Sequence, residues 1–140
     1  MFKKLNKKGF TLAELLVVVA IIGVLVAISI PIFTSQLEKA REATDLANVR
    51  SAYAECSAAV LTGAEDTTNK VSYTAPSGTT PASASKDVIL TQKQTDWQTA
   101  DADKTDIAGT KINTLPTSGT VTVTVKSDGT WTCGAKTTTP

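Results

Sequence analysis

The sequence contains no histidine, two cysteines, one methionine and only 5% aromatic residues among its 140. Without histidine it lacks the commonest general base near neutral pH and the commonest metal ligand. No nucleophile sits beside a base, no cluster has metal-ligand spacing and no glycine-rich phosphate loop occurs, so catalysis and a bound cofactor are not expected. The formal charge of +1 hides an asymmetry: four of the 14 basic residues are Lys3, Lys4, Lys7 and Lys8, leaving ten against 13 acidic residues in the rest. The body of the chain is therefore mildly acidic. That argues against a direct nucleic-acid surface, because phosphate affinity needs clustered Lys and Arg. Few aromatics and much Thr, Ala and Ser also keep any core small.

After Lys8 no basic residue occurs until Lys39, and from Phe10 to Phe33 the only ionisable side chain is Glu14. A helix of that length reaches about 36 Å, enough for a bilayer core of about 30 Å. The stretch reads as a membrane span. The lysines before it place the amino terminus in the cytoplasm by the positive-inside bias, so the remainder is translocated. Glu14 does not fit a plain span, since a carboxylate inside hydrocarbon costs at least about 2.5 kcal/mol and calls for a partner. A secretory signal cut near Ala27-Ile28-Ser29 would not carry an acid in its core or continue its helical pattern past the cut. A lipoprotein signal is excluded because no cysteine lies near the span. An uncut anchor for a cell-surface binding module gives no reason for Glu14 or for Gly9-Phe10.

The order Lys7-Lys8-Gly9-Phe10-Thr11-Leu12-Ala13-Glu14, followed by a long Leu/Val/Ile/Ala helix, resembles the class III signal of type IV pilins and type II secretion pseudopilins. The resemblance covers roughly the first third of the chain. It implies that a prepilin peptidase removes the leader 1–9 by cutting between Gly9 and Phe10, and that Phe10 is N-methylated. It implies further that the Phe10 amine and the Glu14 carboxylate pair between neighbouring subunits as a filament grows. The implied partners are the peptidase, other copies of the chain with related pilins, and an inner-membrane assembly platform. The implied locations are a single-pass membrane protein and then an extracellular pilus or pseudopilus. Ala13 departs from the family, which more often has a larger apolar residue there. The resemblance makes the chain a structural subunit of a pilus-like filament, with a secretion or competence pseudopilin as the alternative within the family. A signal-anchored surface binding protein is the alternative outside it.

Along the apolar run, Pro31 removes a backbone donor and is expected to kink the helix near Ala27, while Gly23 permits close packing. In the family, residues matching Gly23 and Pro31 bracket a segment that can lose its helix within the filament. From Thr34 the pattern becomes amphipathic, with Leu46, Val49, Tyr53, Cys56 and Val60 on one face. Glu38, Lys39, Arg41, Glu42, Asp45 and Arg50 read as solvated flanks, and Gly63 as the C′ residue. One helix is therefore expected from Phe10 to Thr62, its first part (10–33) membrane or filament core and its second (34–62) the base of a head, 34–140.

Lys70–Ala75 reads as a short strand, 76–85 as an exposed loop, and Asp87–Trp97 as either a short helix or a buried strand with Trp97 as an anchor. Thr120–Lys126 alternates strictly and leads through Ser127-Asp128-Gly129 into Thr130–Cys133, a β-hairpin. A three-residue loop with left-handed Gly129 pairs Val125 with Trp131 and Val123 with Cys133 on one face; a two-residue loop would split that face. The fold class is thus α+β: one long amino-terminal helix with a small antiparallel sheet on its carboxy-terminal half. Cys56 and Cys133, both facing inward and outside the cytoplasm, are expected to form a disulfide worth about 4 to 5 kcal/mol by chain entropy. Asp101, Asp103 and Asp106 form a weak calcium candidate, without the glycine and distal glutamate of an EF-hand.

Overall fold

The structure, a computed structural model, describes residues 9–98 and 106–136. The chain divides between Gln36 and Leu37 into two compact units. Helix α1 (Leu12–Thr62) starts in the first and continues through the second, with neither Gly23 nor Pro31 ending it. In the first unit the large apolar side chains from Leu12 to Phe33 are at least 47% exposed. Each would gain about 1.5 to 3 kcal/mol on leaving water, so this surface is built for lipid or for packing against other chains. The helix is long and apolar enough to cross a membrane. Within it the Ser29 hydroxyl donates to the Leu25 carbonyl at 2.7 Å and that of Thr34 to the Pro31 carbonyl at 3.0 Å.

In the second unit α1 becomes amphipathic, as its spacing predicts. Leu46, Val49, Ala52, Cys56 and Ala59 are buried along one stripe. Gly63 ends the helix at φ +69°, its amide donating to the Ala59 carbonyl at 2.9 Å. A four-stranded antiparallel sheet follows, in the order β1 (Ser72–Thr74), β2 (Ser83–Ile89), β5 (Thr120–Lys126) and β6 (Trp131–Ala135). Val121, Val123 and Val125 of β5 face the helix; the first two pack with Leu46, Val49 and Ala52, and Val125 with Cys56 and Ala59. The β5–β6 hairpin has the predicted register, Val125 opposite Trp131 and Val123 opposite Cys133. Its loop closes with the Gly129 amide on the Lys126 carbonyl at 3.1 Å and Gly129 at φ +87°.

Two parts of the head differ from the sequence reading. The segment expected as an exposed loop, 76–85, ends in strand β2, with Ala82 and Ala84 only 6% and 1% exposed. Ala84 lies opposite Val125 and packs with Cys56 and Ala59, where a larger side chain would force helix and sheet apart. The ambiguous Asp87–Trp97 segment continues β2 to Ile89 and then runs as an irregular strap over 90–98. A second small sheet, β3 (Asp106–Ile107) and β4 (Thr110–Lys111), turns through Ala108 and Gly109, both at positive φ. It leads into a 3-10 turn, Ile112–Thr114, and Ile107, Ile112 and Leu115 complete the core.

Candidate functional site

Gly9 and Phe10 precede the helix in irregular, exposed backbone, with Phe10 92% exposed. A Cβ added at Gly9 would meet nothing within 4 Å. The fold therefore makes no demand for glycine here, and any such demand comes from a molecule that binds the junction. Gly23 has equally open surroundings.

Glu14 has a partner that the sequence reading did not name. The Thr11 amide and hydroxyl both donate to Glu14 Oε2 at 2.8 Å, and the Glu14 amide donates back to the Thr11 hydroxyl at 3.2 Å. This is a capping box, in which an N-cap Thr and a Glu three residues on satisfy each other's free amides. The Thr-x-x-Glu spacing was its signal. It supplies Glu14 with two donors, offsetting part of the cost of a carboxylate in an apolar segment, and it orients the side chain at the exposed tip of α1.

The head holds a second polar arrangement, and it corrects the expectation of solvated flanks. Glu38, Glu42 and Asp45 are 3%, 0% and 0% exposed. They follow one another at helical spacing on the face that continues as Leu46, Val49 and Ala52, so periodicity places them inward where residue type alone places them outward. Burial is possible because backbone amides of the strap converge on them. Asp45 accepts the Thr91 amide at 2.9 and 2.8 Å, the Thr91 hydroxyl at 2.8 Å and the Gln92 amide at 2.9 Å. Glu38 accepts the amides of Lys93 and of Gln94, the latter at 2.9 Å, and pairs with Arg41 at 3.0 Å. Glu42 accepts the Gln98 amide. The Gln94 amide above all, helped by the Lys93 amide and Arg41, holds Glu38 below the usual carboxylate range against the opposing effect of burial.

The cysteine expectation is also corrected: both thiols are free. Cys56 lies buried under β5, its Sγ 3.8 Å from the Val123 carbonyl oxygen. Cys133 is opposite Val123 on β6, the next strand outward, and strand spacing of about 4.8 Å separates the two strands. Burial raises the Cys56 thiol to about 11 and also raises Cys133, so neither is an active thiolate. Of the calcium candidates, Asp101 and Asp103 lie outside the described residues, and Asp106 is exposed opposite Lys111. Among the described residues no group of three His, Cys, Asp or Glu side chains is arranged for a metal.

The amino-terminal unit thus presents an exposed Gly-Phe junction, a capped glutamate and a long bare apolar helix, and the head carries a small antiparallel sheet. The family model described as the prokaryotic N-terminal methylation motif matches residues 4–30. A fimbrial protein of Pseudomonas aeruginosa is 29% identical over an alignment covering 91% of this chain and 84% of that protein. Fimbrial protein Q of Moraxella bovis is 26% identical over 91% and 85%. The type IV narrow pilus major component of Thermus thermophilus is 49% identical over 36% of this chain and 46% of its own length, so that match spans less than half of the relative. No solved structure matches the chain. The chain thus carries a methylation motif at its amino-terminal end and is similar over most of its length to fimbrial proteins, and its one long helix with a small antiparallel sheet is consistent with the type IV pilin fold.

Proposed function

We propose that this chain is the structural subunit of a type IV pilus-like filament, cut by a prepilin peptidase between Gly9 and Phe10, N-methylated at Phe10 and polymerised through its apolar helix. The observation that carries the reading is Glu14, a carboxylate at the exposed tip of a helix whose other side chains to Phe33 are uncharged. Cleavage creates a cationic amine at Phe10. A neighbouring subunit's amine at Glu14 supplies the charge that hydrocarbon lacks, and removing either member leaves the other costly to bury. Thr11 holds one carboxylate oxygen and thereby aims the group. Before assembly the span sits in the membrane with its basic leader in the cytoplasm and the head outside. After assembly, mediated by an inner-membrane platform, the same helix lies within the polymer. The subunit itself performs no catalysis; adhesion, motility, uptake or secretion belong to the filament.

The test is Glu14→Ala in cells that make the filament. The variant inserts in the membrane at the normal level, while filament yield falls at least tenfold. Normal filament yield would remove Glu14 from assembly. Mass spectrometry of the native protein is expected to find an amino terminus at Phe10 carrying one added methyl group, and a mature chain still starting at Met1 would refute the processing step.

A further inference from the structure

The strap and the segment after β4 form an open groove of about 360 Å³, lined by Thr95, Asp96 and Trp97 on one side and Asn113, Leu115 and Thr117 on the other. That volume lies at the lower end of small-ligand sites, which run from about 300 to 1,000 Å³. We propose that this groove binds a neutral hexopyranose unit, with the Trp97 indole as the stacking surface and Asp96 and Asn113 as the hydroxyl-recognising groups.

Three observations support the assignment. First, the aromatic surface is fixed. Trp97 is half-buried, packs against the core, and its Nε1 donates to the Leu115 carbonyl at 3.3 Å, which ties one wall of the groove to the other. A fixed indole with an apolar face and a satisfied N–H offers area to the C–H side of a sugar ring at low entropic cost. Second, the polar groups around it are unengaged. Among the described residues, the side chains of Thr95, Asp96, Asn113 and Thr117 make no hydrogen bond, whereas Asp45, Asp66, Asp87 and Asp128 all accept amides, hydroxyls or an ammonium. A carboxylate accepts from two adjacent hydroxyls, and an amide both donates and accepts, as a vicinal diol requires. Third, the wall carrying Thr95–Trp97 is anchored on both sides, by Glu38 through Lys93 and Gln94 and by Glu42 through Gln98.

The charge of the groove sets the ligand class. Among the described residues Asp96 lines it and no Lys or Arg does. A uronate or sialate would meet an unbalanced carboxylate, so the site selects neutral or N-acetylated sugars over acidic ones.

The test uses the full chain in a zwitterionic detergent, since glucoside and maltoside detergents would compete. The probes are methyl β-D-glucopyranoside, methyl β-D-galactopyranoside, methyl N-acetyl-β-D-glucosaminide and methyl β-D-glucuronide, followed by saturation-transfer NMR. At least one neutral glycoside is expected to titrate in the range of about 1 to 10 mM, and the glucuronide to show at least tenfold weaker binding. Trp97→Ala should weaken the neutral probe at least tenfold, Trp97→Tyr about threefold or less, and Asp96→Asn should narrow the gap between neutral and acidic probes. Circular dichroism at the wild-type value shows that each variant is folded. No saturable transfer from any neutral probe up to about 50 mM overturns the proposal, as does binding that is equal in wild type and a folded Trp97→Ala protein.

Discussion

Replacing Asp45 by alanine tests whether the buried carboxylates fasten the strap or merely accompany it. Asp45 is fully buried and receives the Thr91 and Gln92 amides and the Thr91 hydroxyl. A hydrogen bond to a charged group is worth about 1.5 to 3 kcal/mol, and a buried donor left unpaired costs about 1 to 3 kcal/mol. Gln92 is 5% exposed, so its amide cannot reach water unless the strap lifts, whereas Thr91 is exposed and recovers part of its loss. Lifting limits the total, and the local loss is set at about 3 kcal/mol. One opposing contribution is already present. The Gln92 side-chain oxygen and nitrogen are buried without a hydrogen-bond partner, so opening the strap frees a group that is poorly accommodated when closed. Hydrogen exchange read by mass spectrometry across 91–98 is the direct assay, and about 3 kcal/mol corresponds to exchange roughly a hundredfold faster. Asp45→Asn keeps one acceptor but turns an amide donor toward backbone donors, and should fall between alanine and wild type. Unchanged exchange at Thr91 and Gln92 in Asp45→Ala, with an unchanged Tm, would refute the fastening role.

The pH dependence follows from Glu38, whose carboxyl is held below its ordinary range by the Gln94 amide first and then by Lys93 and Arg41. Its stabilisation is complete above the unfolded value of about 4.3 and is lost as pH falls through the lower folded value. Thermal melts should therefore be flat above about pH 5 and drop in more acidic buffer, with a shallower drop in Glu38→Gln. Cys133, which is only partly buried, should alkylate slowly in the folded protein and Cys56 only after denaturation, and reductant should leave Tm unchanged; a disulfide-linked peptide pair would contradict this. Gly129→Ala places a Cβ at φ +87° and should cost about 1 to 2 kcal/mol in denaturant melts, while leaving the amino-terminal unit unaffected.

The elements legible in the sequence were those in which one rule dominated. The apolar run, Gly63 after the helix and the strict Thr-Val alternation each admit one local solution, and the hairpin register followed from keeping Trp131, Cys133 and the valines on one face. Strand β2 was partly hidden because Ser83-Ala84-Ser85 has neither β-branched nor aromatic residues, and its burial depends on the helix passing close by. The carboxylate row was hidden for a different reason. Residue type outweighed periodicity, although positions 38, 42 and 45 are in phase with the apolar stripe, and the strap amides that satisfy them are some fifty residues away. At the amino terminus the contact between Thr11 and Glu14 follows only when the capping rule is applied to the Thr-x-x-Glu spacing.

The three carboxylates grip the strap almost entirely by its main-chain amides, and of the strap side chains they engage only that of Thr91. Positions 93–96 and 98 can therefore change side chain while staying pinned in place, whereas Gln92 is buried and Trp97 packs against the core. A surface held by its backbone can change its chemistry without remodelling the scaffold beneath it.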